Sequence, residues 1–219
     1  MKKAFLHNNS LTIVFLVLFF STMAAQAFTG WKEYNEELKD DKYPAVAFSN
    51  YFTTGHFIEA TFENWESEFL QMALFVLLTI GLRQKGSSES KKQDEEEEVD
   101  NEPDPNKEDA PWPVHKGGLV LSIYKHSLSI ILLLLFVFSF VMHLYGSLLH
   151  NNEDQLRKGL PTESSSEYIL GSKFWFESFQ NWQSEFLSIV AIVVLSIYFR
   201  EKGSPQSKPV DAPHSETGE

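Results

Sequence analysis

The 219 residues are enough for one or two ordinary domains. A net charge of -12, from 30 Asp and Glu against 18 Lys and Arg, excludes a protein that wraps nucleic acid, which needs a basic face to neutralise phosphates. Zero cysteines exclude disulfides, thiolate metal sites and a cysteine nucleophile, and leave the redox compartment undetermined.

Apolar and charged residues are sorted into separate blocks. The first apolar stretch, Leu11–Phe28, carries no charge. A helix rises 1.5 Å per residue, so about 20 apolar residues cross a hydrocarbon core of roughly 30 Å. Lys2 and Lys3 before it and Ala25-Gln26-Ala27 near its end also resemble a secretory signal with a small-residue cleavage site. Phe69–Leu82 follows, only 14 residues, but the aromatic-rich run His56–Phe69 precedes it. Trp65 suits the boundary between core and headgroups. A helix starting outside the core, with Thr54 as N-cap, and entering the core at Trp65 is therefore expected. The third stretch, Leu128–Leu149, is uncharged and has no flanking sequence that could bury it in a soluble core. The fourth, Phe186–Phe199, copies the second: Trp182 marks its outer boundary and Ser172 its expected N-cap.

Positive charge orients these spans. Arg83, Lys85, Lys91 and Lys92, then Lys116 and Lys125, then Arg200, Lys202 and Lys208 flank the inner ends, together with Lys2 and Lys3. Both termini and the central linker are expected in the cytoplasm, with two loops outside.

Shifting the chain by 117 residues aligns its halves without a gap. Asn64-Trp65-Glu66-Ser67-Glu68-Phe69-Leu70 meets Asn181-Trp182-Gln183-Ser184-Glu185-Phe186-Leu187, and Arg83, Lys85, Gly86 and Ser87 meet Arg200, Lys202, Gly203 and Ser204. Between 56–91 and 173–208, 17 of 36 residues are identical, where composition alone gives about two. Many matches are polar, so shared hydrophobicity does not produce them. The equivalent of the first span is internal, with Met142 and Leu144 at the positions of the small residues; this argues that the N-terminal span is kept rather than cleaved after Ala27. The expected fold is all-α: an integral membrane four-helix bundle made of two tandem, parallel two-helix repeats, residues 1–85 and 119–203. Between them, residues 86–118 hold 11 acids, four prolines and few aliphatics, and read as a disordered cytoplasmic linker. The tail at 204–219 reads likewise.

The duplicated Asn-Trp-x-Ser-Glu-Phe motif, the Lys-Gly-Ser-x-x-Ser-Lys exit and Asn35-Glu36-Glu37 in the outer loop resemble an uncharacterised family of bacterial membrane proteins, catalogued as a domain of unknown function. The resemblance implies the bacterial inner membrane and carries no activity or site residues.

Polar groups at membrane depth are the candidate site. Asn64, Ser67, Glu68 and Gln71 share a helix face, as do Asn181, Ser184, Glu185 and Ser188. Gln26 and His143, at equivalent positions, each lie 16 residues beyond an inner boundary, about 24 Å. Glu68 and Glu185 lie 14 residues from theirs, about 21 Å. Groups at that height are costly against lipid, so Gln26, Asn64, Glu68, His143, Asn181 and Glu185 are expected to cluster in the bundle. Such a cluster specifies helix packing or, if Glu68 and Glu185 share a proton or attract a cation, serves a small transporter or channel. The third alternative is that these groups, one turn from Trp65, sit in the wet headgroup zone and need no partner. Trp65 and Trp182 are expected as interfacial anchors. His56 and His150 read as surface or interfacial residues, and the acids Glu33, Glu36, Glu37, Asp40, Asp41, Glu153 and Asp154 as solvated loop charges with at most weak divalent-cation binding. No nucleophile elbow, zinc helix or phosphate loop occurs. The expectation is a non-enzyme with no cofactor or metal. Its partners would be the bilayer and a second copy or another membrane protein, and no nucleic acid.

Overall fold

The computed structural model describes residues 2–93 and 95–218, with the side chains of Lys2 and Lys3 outside that description. Among the described residues it is all-α, with no strand. The helices are α1 (Lys2–Asn8), α2 (Ser10–Asp40), α3 (Phe48–Tyr51), α4 (Gly55–Gly81), α5 (Trp112–Lys116), α6 (Gly118–Lys125), α7 (Ser127–Arg157), α8 (Ser165–Leu170) and α9 (Ser172–Tyr198). The limits of α2 and α7 differ by the 117 residues of the sequence offset, and so do those of α4 and α9.

Three helices, α2, α7 and α9, are long and apolar enough to cross a membrane. Around α2, Leu11, Val14, Phe15, Val17 and Phe20 are all more than half exposed, a surface suited to lipid and costly in water. The helix α4, which carries the second expected span, is not among them. It is 27 residues long, but Glu59, Glu63, Glu66 and Glu68 occupy its first half. At the first three of these positions α9 has Phe176, Gln180 and Gln183. Within the apolar stretch itself α4 has Gln71, Met72 and Phe75 where α9 has Ser188, Ile189 and Ile192, and this lowers its apolar character.

Both α2 and α7 run 31 residues, about 46 Å, well past a core of roughly 30 Å. Their ends therefore form much of what the sequence reads as outer loop.

The chain divides into two compact units. One comprises the chain up to Phe62 together with Val141–Phe174. Its core is Tyr34, Leu38 and Tyr51, with Trp31, Val46 and Phe57 packed against them. Here α4 and α7 touch through glycine. A Cβ on Gly55 would stand 2.2 Å from the His150 backbone nitrogen, and one on Gly146 would stand 2.5 Å from that of Glu59. Small residues are what permit such a backbone approach. Two asparagines fasten the chain beyond α2 and α7. Asn35 Oδ1 accepts from the Val46 N–H at 2.6 Å while its Nδ2 donates to the Val46 carbonyl at 3.1 Å. Asn152 does the same to Glu163, at 2.8 and 2.9 Å.

The other unit comprises Glu63–Phe140 and the chain from Trp175 onward. It contains the segments expected to be disordered, and these carry defined turns and hydrogen bonds instead. The Gly86 N–H donates to Thr217 Oγ1 at 2.9 Å, the Gly218 N–H to the Ser87 carbonyl at 3.0 Å, and Ser87 and Ser196 share a hydroxyl bond at 3.0 Å. Lys208 Nζ donates to the carbonyls of Pro213, His214 and Glu216. Few aliphatics are needed for this, because backbone and hydroxyl groups supply the contacts.

Candidate functional site

Thr54 caps α4 as expected: its hydroxyl accepts from the Phe57 N–H at 3.3 Å and donates to the Tyr51 carbonyl at 2.7 Å. The cap of α9 falls one residue earlier than expected, at Gly171, since Ser172 already begins the helix. The turn before α4 sets Tyr51 on α2. A Cβ on Gly30 would lie 2.4 Å from the Tyr51 hydroxyl, so only glycine leaves room for this phenol. That hydroxyl is hydrogen-bonded to His56 Nδ1 at 2.8 Å.

Around this contact the first unit gathers a polar and aromatic cluster that includes both histidines expected at the surface. The Tyr34 ring lies 5.3 Å from His56 and 6.3 Å from His150, and the two imidazoles are 5.2 Å apart. Tyr34 Oη donates to Glu153 Oε2 at 3.1 Å. Glu59 is held by His150 Nδ1 on one oxygen and by Ser147 Oγ, at 3.3 Å, on the other. Ser147 also bonds the Tyr168 hydroxyl. Two of the outer acids are paired: Arg157 Nε lies 3.1 Å from Asp41, and Lys158 Nζ donates to Asp154 at 2.7 Å.

Burial sets the ionisation of this cluster, whose members on α4 precede Trp65. Burial, then the neighbouring His150, holds His56 below its ordinary pKa, against the attraction of Glu37, Glu59 and Glu33. Burial alone would push Glu59 up; the hydrogen bond and charge of His150, with Lys173 and Ser147, outweigh it and keep Glu59 below its ordinary value. Burial and the charges of Glu33 and Glu37 push Tyr51 up to about 12. Among the described residues, no three His, Asp or Glu side chains converge on a point where a metal ion would sit.

In the second unit the inward face of α4 carries Glu63 and Glu66 rather than Asn64 and Glu68. Glu66 is fully buried, and Trp182 Nε1 donates to its Oε1 at 2.8 Å. Asn181 Nδ2 donates to Glu63 and, at 3.1 Å, to the Glu177 carbonyl. The Trp182 ring packs 5.6 Å from Phe179 and 6.4 Å from Phe136, so this tryptophan joins helices rather than only marking the interface. Trp65 is half-buried.

The six residues expected to cluster divide between the units. Gln26 and His143 belong to the first; Asn64, Glu68, Asn181 and Glu185 belong to the second. Gln26 Nε2 donates to Thr61 Oγ1 at 3.4 Å. His143 is fully buried, its ring 4.8 Å from Phe174. Asn64 and Glu68 are exposed, while Glu185 is partly buried and near enough to Glu68 for their charges to repel. The spacing Glu59, Glu63, Glu66, one helical face at i, i+4 and i+7, is the signal that would have found the inward acids.

A family model described as "Domain of unknown function (DUF6766)" matches residues 2–219. Neither a curated protein nor a solved structure matches the chain.

Proposed function

The chain belongs to the DUF6766 family, and from its residues we propose a non-enzymatic, four-crossing protein of the bacterial inner membrane that acts as a packing and interaction module. In this reading two parallel copies of a two-helix hairpin, residues 1–85 and 119–203, are joined by a cytoplasmic linker, with both termini on the linker's side. The observation that carries it is the bond from Trp182 Nε1 to the buried carboxylate of Glu66. A hydrogen-bonded acid between helices fixes their register. The acids Glu63 and Glu66 belong to the first copy and their donors Asn181 and Trp182 to the second, so the copies have become complementary rather than interchangeable. The partner of the module is a second copy or another membrane protein, in a bilayer.

A second reading, a small transporter or channel with a proton or cation site at Glu68 and Glu185, is favoured by the nearness of those two carboxylates. Water access separates the two readings. The chain is naturally free of cysteine, so Gln71→Cys and Ser188→Cys give single labelling sites. A membrane-impermeant maleimide leaves both unlabelled if the helices only pack. Labelling at both positions, slowed by a permeant cation, would instead establish a path.

A further inference from the structure

We propose that the groove between the inner halves of α4 and α9 holds one acyl chain of an anionic phospholipid, with the phosphate on Arg83. This rests on the membrane placement proposed above. The groove measures about 470 Å³ and is walled by Leu74, Leu78, Phe186 and Val190, with Arg83, Gln84 and Glu89 at its mouth. Its length along α4, from Gln71 to Leu82, is about 16 Å by helical rise. That is close to one leaflet's share, roughly 15 Å, of the hydrocarbon core. One end of the groove is apolar and the other presents a cation, which is the polarity of a phospholipid standing in its own leaflet.

The charge argument comes from comparing Arg83 with its counterpart Arg200. Both use Nη1 to close the helix end: Arg83 donates to the Thr79, Ile80 and Leu82 carbonyls, Arg200 to those of Ser196, Ile197 and Phe199. Arg200 spends its other nitrogens on the tail, Nε on the Pro209 carbonyl at 3.2 Å and Nη2 on that of Ala212 at 3.1 Å. Arg83 Nε and Nη2 donate to no acceptor among the described residues, and they form the edge that matches a phosphate's two oxygens. Of the acids nearby, Asp100 pairs with Lys91 and also feels the charge of Arg83, and Ser88 Oγ donates to Glu89 at 3.4 Å.

The test uses the full chain, delipidated in detergent, offered phosphatidylglycerol or phosphatidylcholine of the same acyl chains, with retained lipid counted by native mass spectrometry. Wild type should retain one phosphatidylglycerol in preference to phosphatidylcholine. Arg83→Gln should lower that retention about fivefold to tenfold, as for one lost charge-assisted contact. Arg83→Lys should restore part of it, Val190→Trp should abolish retention of either lipid, and Arg200→Gln should leave it unchanged. Variants are compared at equal helical content by circular dichroism. Equal retention of the two lipids by wild type, or Arg83→Gln and Val190→Trp both retaining lipid as wild type does, would overturn the proposal. Carbonate extraction of membranes separates the two failures. Release of wild type would sink the membrane placement itself; a chain that stays in the pellet without lipid preference would sink the site alone.

Discussion

His56 gives the outer cluster its dependence on pH. Its ring is held neutral by burial and by His150, so its folded pKa lies below the ordinary 6.5. As pH falls through that value the unfolded chain takes up a proton that the folded chain refuses, and stability is lost. Glu59 is held below its ordinary 4.5, so its contribution is complete above that pH and is lost as pH falls through the lowered value. The melting temperature in detergent should therefore decline in two stages, one as pH drops through 6.5 and one below 4.5. His56→Gln, which keeps a bond to Tyr51, should flatten the upper stage, and Glu59→Gln the lower. An unchanged upper stage in His56→Gln would assign it to another group. Neither histidine stood out as a sequence position: His56 faces Lys173 and His150 faces Glu33 across the repeat, and comparison of copies shows only what both retain.

The same blindness governs the elements. The face with Asn64, Ser67 and Glu68 recurs in both halves and so drew the eye. The inward face with Glu59, Glu63 and Glu66 exists in α4 alone. Helix limits were legible within a few residues where apolar runs begin or a threonine caps, as at Thr54. The extension of α2 to Asp40 was not, because the apolar run stops at Phe28. What carries the helix onward is a narrow stripe, Ala27, Trp31, Tyr34 and Leu38, of which Ala27, Tyr34 and Leu38 are buried. Between α4 and α9 the bond of Glu66 with Trp182 should be costly to break from either side. Glu66→Ala leaves the indole N–H unpaired, and a loss of about 1–3 kcal/mol is expected. Trp182→Phe removes the indole donor from a buried carboxylate and should cost a similar amount. Thermal unfolding of the two single variants and the double variant measures this: a double variant less destabilised than the sum identifies the contact. Strict additivity would show that the two residues act separately.

For the whole molecule, everything depends on both copies of the hairpin crossing the bilayer in the same sense. Matching helix limits, the paired clamps of Asn35 and Asn152, and the shared helix-end bonds of Arg83 and Arg200 support that view. The acid-rich start of α4 is where it is most exposed to contradiction, since a helix that failed to cross would put the linker outside. The most direct test is a pair of compartment-sensitive reporter fusions, alkaline phosphatase and green fluorescent protein. Each is placed in turn after Lys42, Lys107, Lys158 and Ser215. The account predicts fluorescence without phosphatase activity at Lys107 and Ser215, and phosphatase activity without fluorescence at Lys42 and Lys158. Phosphatase activity at Lys107 and Ser215 with fluorescence at Lys158, the pattern left if α4 does not cross, would contradict it.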